Sequence, residues 1–483
     1  MQTPRLHALT AFVATITLLA GCAESTSTTT PTGTGSPSAS ARVDSTAEPT
    51  ATPGSSSGHW EPAGSLAFSR LDPRAVVLGD GRVLVVGTSW DGSVETATAE
   101  LWDPATGAWE STGSLNKPRS AFVAVTLDDG RALVTGGLNG TEQPFSSTYV
   151  FDPTAEAWTK VGLLGTARTA PSAAVLPNGR VLVVGGYFHV AYNDTAIRPE
   201  IVLAAYHPPA APPELPLTDL DPNPVGAAMA TAELFDPATG TWSPTGPLVY
   251  ARVGAVAATL SDGRVLVVGS TTGPRGGVTV DPGAFASAEI YDPRTGRFSL
   301  TGELPAIDRA AIEAQGAPDA NPVPEGAPEM DDIGTLVALK DGGALLIGHS
   351  QYWKHQGAIA RSFRYDAGSG RWAEIGKTYI NVGEPSPVVL IIPGARDLAR
   401  AAAARLPDGG VIIAESSWNL LTQAAHRYDP ATDTWSELPS MPEPGGVGGP
   451  ALVLADGSVL ILVVTPQPDG NAMSSAIRFV PGH

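Results

Sequence analysis

Apolar positions in this chain come in short runs that follow a polar turn, and the arrangement recurs seven times. The turns are Asp80-Gly81, Asp129-Gly130, Asn178-Gly179, Asp262-Gly263, Asp341-Gly342, Asp408-Gly409 and Asp456-Gly457. The runs behind them read GRVLVVG from Gly81, Gly179 and Gly263, and GRALVTG from Gly130, with weaker copies from Gly342, Gly409 and Gly457. Asp-Gly or Asn-Gly between two apolar runs predicts a two-residue hairpin turn, because both central residues take positive φ. A second phrase follows each of the first six runs: LWDPATGAW from Leu101, VFDPTAEAW from Val150, LFDPATGTW from Leu234, IYDPRTGRF from Ile290, RYDAGSGRW from Arg364 and RYDPATDTW from Arg427. Proline presets φ early in such a turn and glycine takes its left-handed position, so each phrase predicts another hairpin. One repeat is therefore four antiparallel strands, which can bury apolar surface only against its neighbours.

Four-stranded units in a series predict the blades of a β-propeller. Gly-Gly after the second strand (Gly136-Gly137, Gly185-Gly186), a Tyr-Asp-Pro-like third strand and a Trp-bearing fourth resemble the kelch repeat. The resemblance spans roughly residues 58–483 in seven copies. It implies an all-β, seven-bladed kelch-type propeller of the galactose-oxidase-like group, and it leaves activity open, because one fold hosts many functions. The last repeat ends at His483 with no Trp strand, while HWEPAGSLAFSR from His59 mirrors TWSPTGPLVYAR from Thr241. The N-terminal segment is thus expected to supply the outer strand of blade seven, which removes an exposed sheet edge.

Ahead of the repeats, residues 1–22 carry Arg5, an apolar stretch from Ala8 to Leu19, and then Leu19-Ala20-Gly21-Cys22. A short apolar segment with small residues at its end predicts a secretory signal rather than a spanning helix. Leu-Ala-Gly-Cys resembles the bacterial lipobox, which implies an acylated Cys22 and an extracytoplasmic lipoprotein, at the cell surface or in the periplasm. Cys22 is the only cysteine, so no intramolecular disulfide can form. Residues 23–57 are rich in Ser, Thr and Pro and predict a disordered tether. The net charge of −19 argues against a nucleic-acid partner and against lying flat on anionic lipid, so the membrane is expected to be reached through the anchor only. The chain is expected to be monomeric.

Turn-to-turn spacings are 49, 49, 84, 79, 67 and 48 residues. The extra length falls in residues 187–229 and 270–287, between second and third strands, and in 305–330 and 376–395, between blades. Strands alternate in direction, so all of these emerge on one face, over blades three to six. Loops on a rigid scaffold are where binding groups sit. That face is expected to carry Tyr187, His189, Tyr192, Asp194 and His207 from blade three, His349, Tyr352, Trp353 and His355 from blade five, Trp418 from blade six and Trp90 from blade one. Aromatic faces beside polar groups suit a sugar ring, or these residues pack the loops onto the rim.

Ten residues before each turn stand Arg70, Arg119, Arg168, Arg252, Asp331, Leu398 and Gly446. At the start of the innermost strand, four arginines facing Asp331 are expected to ring the channel mouth and hold an anion. Alternatively each pairs with a third-strand acid, Glu100, Glu233 or Glu289.

Resemblance to galactose oxidase would imply copper with a cysteine–tyrosine crosslink, and the one cysteine belongs to the lipobox. Sialidase-type boxes, His-Glu-x-x-His and phosphate loops are absent from the sequence. Asp219-x-Asp221-x-Asn223 opens like a calcium loop, but Pro224 and Ala230 stand where it needs glycine and an acid. No catalytic residue, metal or cofactor is therefore assigned. The expectation is a tethered propeller that binds a glycan or an envelope protein, with a sugar epimerase or an envelope scaffold as alternatives.

Overall fold

The computed structural model divides into two units, residues 1–54 and 55–483. It describes residues 58–70, 73–87, 89–90, 95–139, 143–188, 227–270, 283–305, 332–352, 357–381, 402–414, 425–442, 446–466 and 472–482. The signal segment, Cys22 and the tether lie outside these residues.

Seven four-stranded antiparallel sheets follow one another along the second unit. Blade one runs from inside to outside as Arg74–Val77, Val83–Val86, Ala99–Asp103 and Ala108–Thr112. Blades two to six keep that order, starting from Ser120, Ser172, Val256, Asp332 and Ala402. The first strands touch in sequence, and Gly446–Val453 of blade seven reaches Arg74–Val77 of blade one, so the ring closes. The fold is a seven-bladed β-propeller. Its last blade is completed by His59–Ser65, which pairs antiparallel with Ala472–Val480 in the register Trp60↔Phe479.

Second strands show why the sequence reads as unbroken apolar runs rather than alternation. Val83–Val86, Val181–Val184, Val265–Val268 and Val411–Ala414 are buried at every residue, because each blade is sandwiched between two others. Burial is between blades: Leu84, Val86 and Leu101 of blade one form one cluster with Phe122, Val134 and Phe151 of blade two. Outer strands bear the recurring Trp or Phe, which packs on the third-strand aromatic in all seven blades with centroids 4.8–6.5 Å apart. Indole N–H groups then stitch neighbouring blades: Trp109 donates to Ala63 O (2.8 Å), Trp158 to Gly113 O (2.7 Å) and Trp60 to Pro439 O (2.6 Å).

The two kinds of hairpin turn share a face. Arg82, beside the first turn of blade one, donates to Pro153 O in the second turn of blade two and pairs with Glu156, both at 2.6 Å. Adjacent turns touch closely; a Cβ on Gly79 would lie 2.6 Å from Gly130 Cα, so that contact requires glycine. Connectors between blades and the loops between second and third strands lie on the opposite face, which carries the insertions.

Two insertions are partly built into the sheet. Tyr187–Phe188 pairs with Ala227–Ala228, so the blade-three insertion leaves on a short ribbon. In blade five the third and fourth strands, Gly357–Asp366 and Arg371–Asn381, stay paired as far as Gly357↔Asn381. The inter-blade insertion expected from Gly376 thus begins as strand, since nothing between Gly376 and Asn381 forces a turn. One helical turn, Gly283–Ala286, precedes the third strand of blade four.

Candidate functional site

The four repeated arginines occupy the connectors just ahead of the first strands. Their Nη1 groups donate to Gly87 O (2.8 Å), Gly136 O (3.1 Å), Gly185 O (2.9 Å) and Gly269 O (3.0 Å), where second strands end. The same nitrogens reach the carbonyls of Thr98, Ser147, Thr231 and Ser287, where third strands begin, and each Nη2 bonds the hydroxyl of that residue. Each guanidinium therefore clamps two strands at the root of a 2–3 loop. Glu100, Glu233 and Glu289 neutralise Arg70, Arg168 and Arg252 at 2.9, 2.6 and 2.9 Å. Their carboxylates also accept from Ala67, Gly165 and Val249 N–H, all at 2.6 Å, which fixes the connector entering the blade.

In blade two Tyr149 stands in the glutamate's place. Arg119 lies instead over the rings of Phe145 (4.6 Å) and Tyr149 (5.2 Å), and burial pushes its guanidinium down to about 10. Burial also lowers Arg70, Arg168 and Arg252, opposed in each case by the partner glutamate.

This corrects the expected ring of arginines at the channel mouth. Arg70, Arg119, Arg168 and Arg252 are at most 1% exposed and turn into the blade, where carbonyls, hydroxyls and acids replace their water. An incoming anion would have to displace those partners. Tyr187 is corrected too: it is 6% exposed, exchanges backbone hydrogen bonds with Thr169 and packs on Ala228 and Val253. His349 and Tyr352 sit on the second strand of blade five, at the register positions His349↔Ala360 and Tyr352↔Gly357. Asp331, His189, Tyr192, Trp353, His355 and Trp418, like the Asp219–Asn223 segment, lie outside the described residues.

A cavity of about 240 Å³ sits where the first strands begin, on the insertion-bearing side of the ring axis. Blades one to five line it, through Arg74, Phe122, Pro171, Ser172, Val256 and Thr335 among others. Among the described residues Arg74 is the one charged member of the lining. Its Nε donates to Phe122 O at 3.0 Å and its guanidinium lies 5.9 Å from the Phe122 ring centroid. Six residues before the turn, the other blades carry Val123, Ser172, Val256, Thr335, Ala402 and Pro450. Arg74 thus breaks the repeat, and that break was the sequence signal for it. The Ser172 hydroxyl donates to Ala255 O across blades.

Beside the cavity, Ala121 and Ala170 have φ of 50° and 48°, and Gly254 takes the same conformation at 58°. Ala170 N–H donates to Ala121 O (2.8 Å) and Gly254 N–H to Ala170 O (2.9 Å), a chain of bonds from blade to blade around the rim. The described lining holds no carboxylate, imidazole or thiol. What it offers is recognition: one oriented cation, a polar rim and an apolar wall.

Residues 119–162 match the Kelch motif family. They are blade two, from its arginine clamp to the end of its outer strand. No curated protein matches the chain. Among solved structures it is similar to a fungal alcohol oxidase with catalytic diversity among the AA5 family, in complex with copper, at 16% identity and a TM-score of 0.53, over 88% of this chain and 76% of that one. Such a likeness is one of fold. Among the described residues no three His, Cys, Asp or Glu side chains converge.

Proposed function

We propose that this chain is a binding propeller, tethered outside the cytoplasm through an acylated Cys22, that holds a glycan or an envelope protein at the insertion-bearing channel mouth. One observation carries the reading: the axial cavity opens on the face toward which the long insertions leave the blades, and the one charge among its described lining residues, Arg74, departs from the repeat. A rigid ring with variable loops around a concave polar centre is the usual geometry of a recognition surface. Arginine suits an acidic sugar or an acidic side chain, which would compete with the partners Arg74 already has, Phe122 O and Pro73 O among them.

A glycan array probed with residues 23–483 tests it. Binding that favours acidic sugars and falls about tenfold or more in Arg74→Ala supports the reading. Binding unaffected by Arg74→Ala, with the ligand on the opposite face, would remove it. Tethering is tested separately: Cys22→Ser should lose its lipid and its membrane association, and a lipidated variant would contradict the anchor.

A further inference from the structure

We propose that blade seven is the movable joint of the ring: the inner strands of the other six blades are locked in three pairs, and blade seven shifts against them to widen or narrow the channel mouth. The inference concerns the ring itself and holds whatever the mouth binds. Its first support is an alternation along the inner strands. Three residues before the turn, even blades carry Thr126, Thr259 and Arg405, and odd blades carry Val77, Val175, Ala338 and Val453. Six residues before the turn the order reverses: Arg74, Ser172 and Thr335 stand in odd blades, and Val123, Val256 and Ala402 in even ones.

The polar members of this pattern bond the inner-strand carbonyls of one neighbour. Thr126 and Thr259 hydroxyls donate to Val77 O and Val175 O, both at 2.7 Å, and Arg405 Nη1 donates to Ala338 O at 3.0 Å. In the other direction Arg74 Nε donates to Phe122 O (3.0 Å) and the Ser172 hydroxyl to Ala255 O. These bonds join blade one to two, three to four and five to six. The turn face repeats two of those pairings. Glu156 and Asp433 take φ of 50° and 54°, where the second turns of the other blades have Gly107, Gly240, Gly296 and Gly370. Each acid pairs with an arginine of the preceding blade, Arg82 at 2.6 Å and Arg364 at 2.7 Å, which offsets its backbone strain. Between pairs, Ala170 N–H donates to Ala121 O (2.8 Å) across blades two and three, and the Thr301 and Tyr365 hydroxyls meet at 2.7 Å across blades four and five.

Seven is odd, so the alternation leaves one blade over. The inner strand of blade seven, Gly446–Val453, reads GVGGPALV and is the one inner strand without a polar side chain. Pro450 and Val453 stand at its two bonding positions, and Ala402 and Val77, which would reach it from blades six and one, cannot donate either. Its ties to those neighbours lie further from the axis: Trp60 to Pro439 O (2.6 Å), Trp109 to Ala63 O (2.8 Å) and Arg70 N–H to Ser474 Oγ (2.9 Å). The strand is also bulged. Val447 faces Val463 and Ala451 faces Ile461, so Gly448, Gly449 and Pro450 together oppose Leu462. Two glycines and a proline without an N–H loosen that stretch, at the level where Arg74 and Ser172 line the cavity. Blade seven is thus held at its outer and third strands and not along the inner wall.

Native-state hydrogen exchange of the full-length protein tests the joint. Amides of residues 451–453 and 459–464 should exchange about tenfold or more faster than those of residues 83–86, 181–184 and 265–268, at a rate insensitive to low guanidinium, as a local opening requires. Equal rates, or fast exchange that rises with guanidinium as global unfolding does, overturn the proposal. The isosteric double variant Val77→Thr, Val453→Thr supplies the missing hydroxyls and should slow blade-seven exchange about fivefold. Thr126→Val with Thr259→Val should instead speed exchange at residues 83–86 and 181–184 by a similar factor. Blade-seven exchange unchanged by the added hydroxyls, in a variant whose Tm is not lowered, also overturns it. Should the variants fail to fold, the comparison within the native protein decides alone.

Discussion

Glu233 shows what a buried charge costs when its partner is taken away. Its carboxylate neutralises Arg168 and holds Gly165 N–H, all out of water. Glu233→Gln should cost about 3–5 kcal/mol, because it strands a buried guanidinium. Arg131→Ala, which breaks an exposed turn pair, should cost about 1 kcal/mol or less. Denaturant melts of the two variants check the contrast, and equal losses would contradict the clamp. The alanine at position 170 makes the opposite point. Ala170→Gly should stabilise the protein by about 1 kcal/mol, because its φ of 48° is one that alanine adopts only under strain. The four arginines and three glutamates were legible in the sequence as a repeat, but their direction was not. Spacing places a residue on a connector; only the carbonyls of Gly87, Gly136, Gly185 and Gly269 turn its side chain inward. Arg74 went unread for the converse reason, since attention to what recurs passes over the one position that does not.

Blade seven is the element on which closure depends. Trp60 packs 5.0 Å from Phe479 and donates its indole N–H to Pro439 O, so one residue ties the outer strand to its own blade and to blade six. Deleting residues 59–70 should expose the edge of Ala472–Val480 and produce aggregation or a large fall in Tm, whereas deleting 23–57 should do neither. Equal Tm values for the two truncations would contradict closure by strand exchange. Elements bounded by Asp-Gly or Asp-Pro turns were legible to within a residue or two, because turn chemistry marks both ends. The blade-five ladder was not: residues 376–381 carry no turn signal, and the pairing that extends them is set by Gly357–Ser362 across the sheet. Acid should loosen the turns first. Arg131 holds the Asp129 carboxyl below its usual value, and Arg294 holds Asp292 down to about 2. Carboxylates lowered in the folded state contribute stability above about pH 4 and lose it as pH falls through their folded values. A Tm that falls steadily below pH 4 is expected, and Asp129→Asn should flatten that slope.

For the whole molecule, the ring divides labour between its two faces. Short, ion-paired turns close one side, and insertions crowd the other around an axial cavity that Arg74 marks. The sequence made this asymmetry legible through unequal turn spacings, since strand direction alone assigns each loop to a face. It could not show the cavity, which exists only where five first strands converge. Ligand position is therefore the deciding observation. Hydrogen exchange of the protein with and without a bound glycan from the array should show protection at residues 120–124, 169–173 and 252–257, at the channel mouth. Protection confined to residues 79–82, 128–131 and 178–180, on the turn face, would contradict the account.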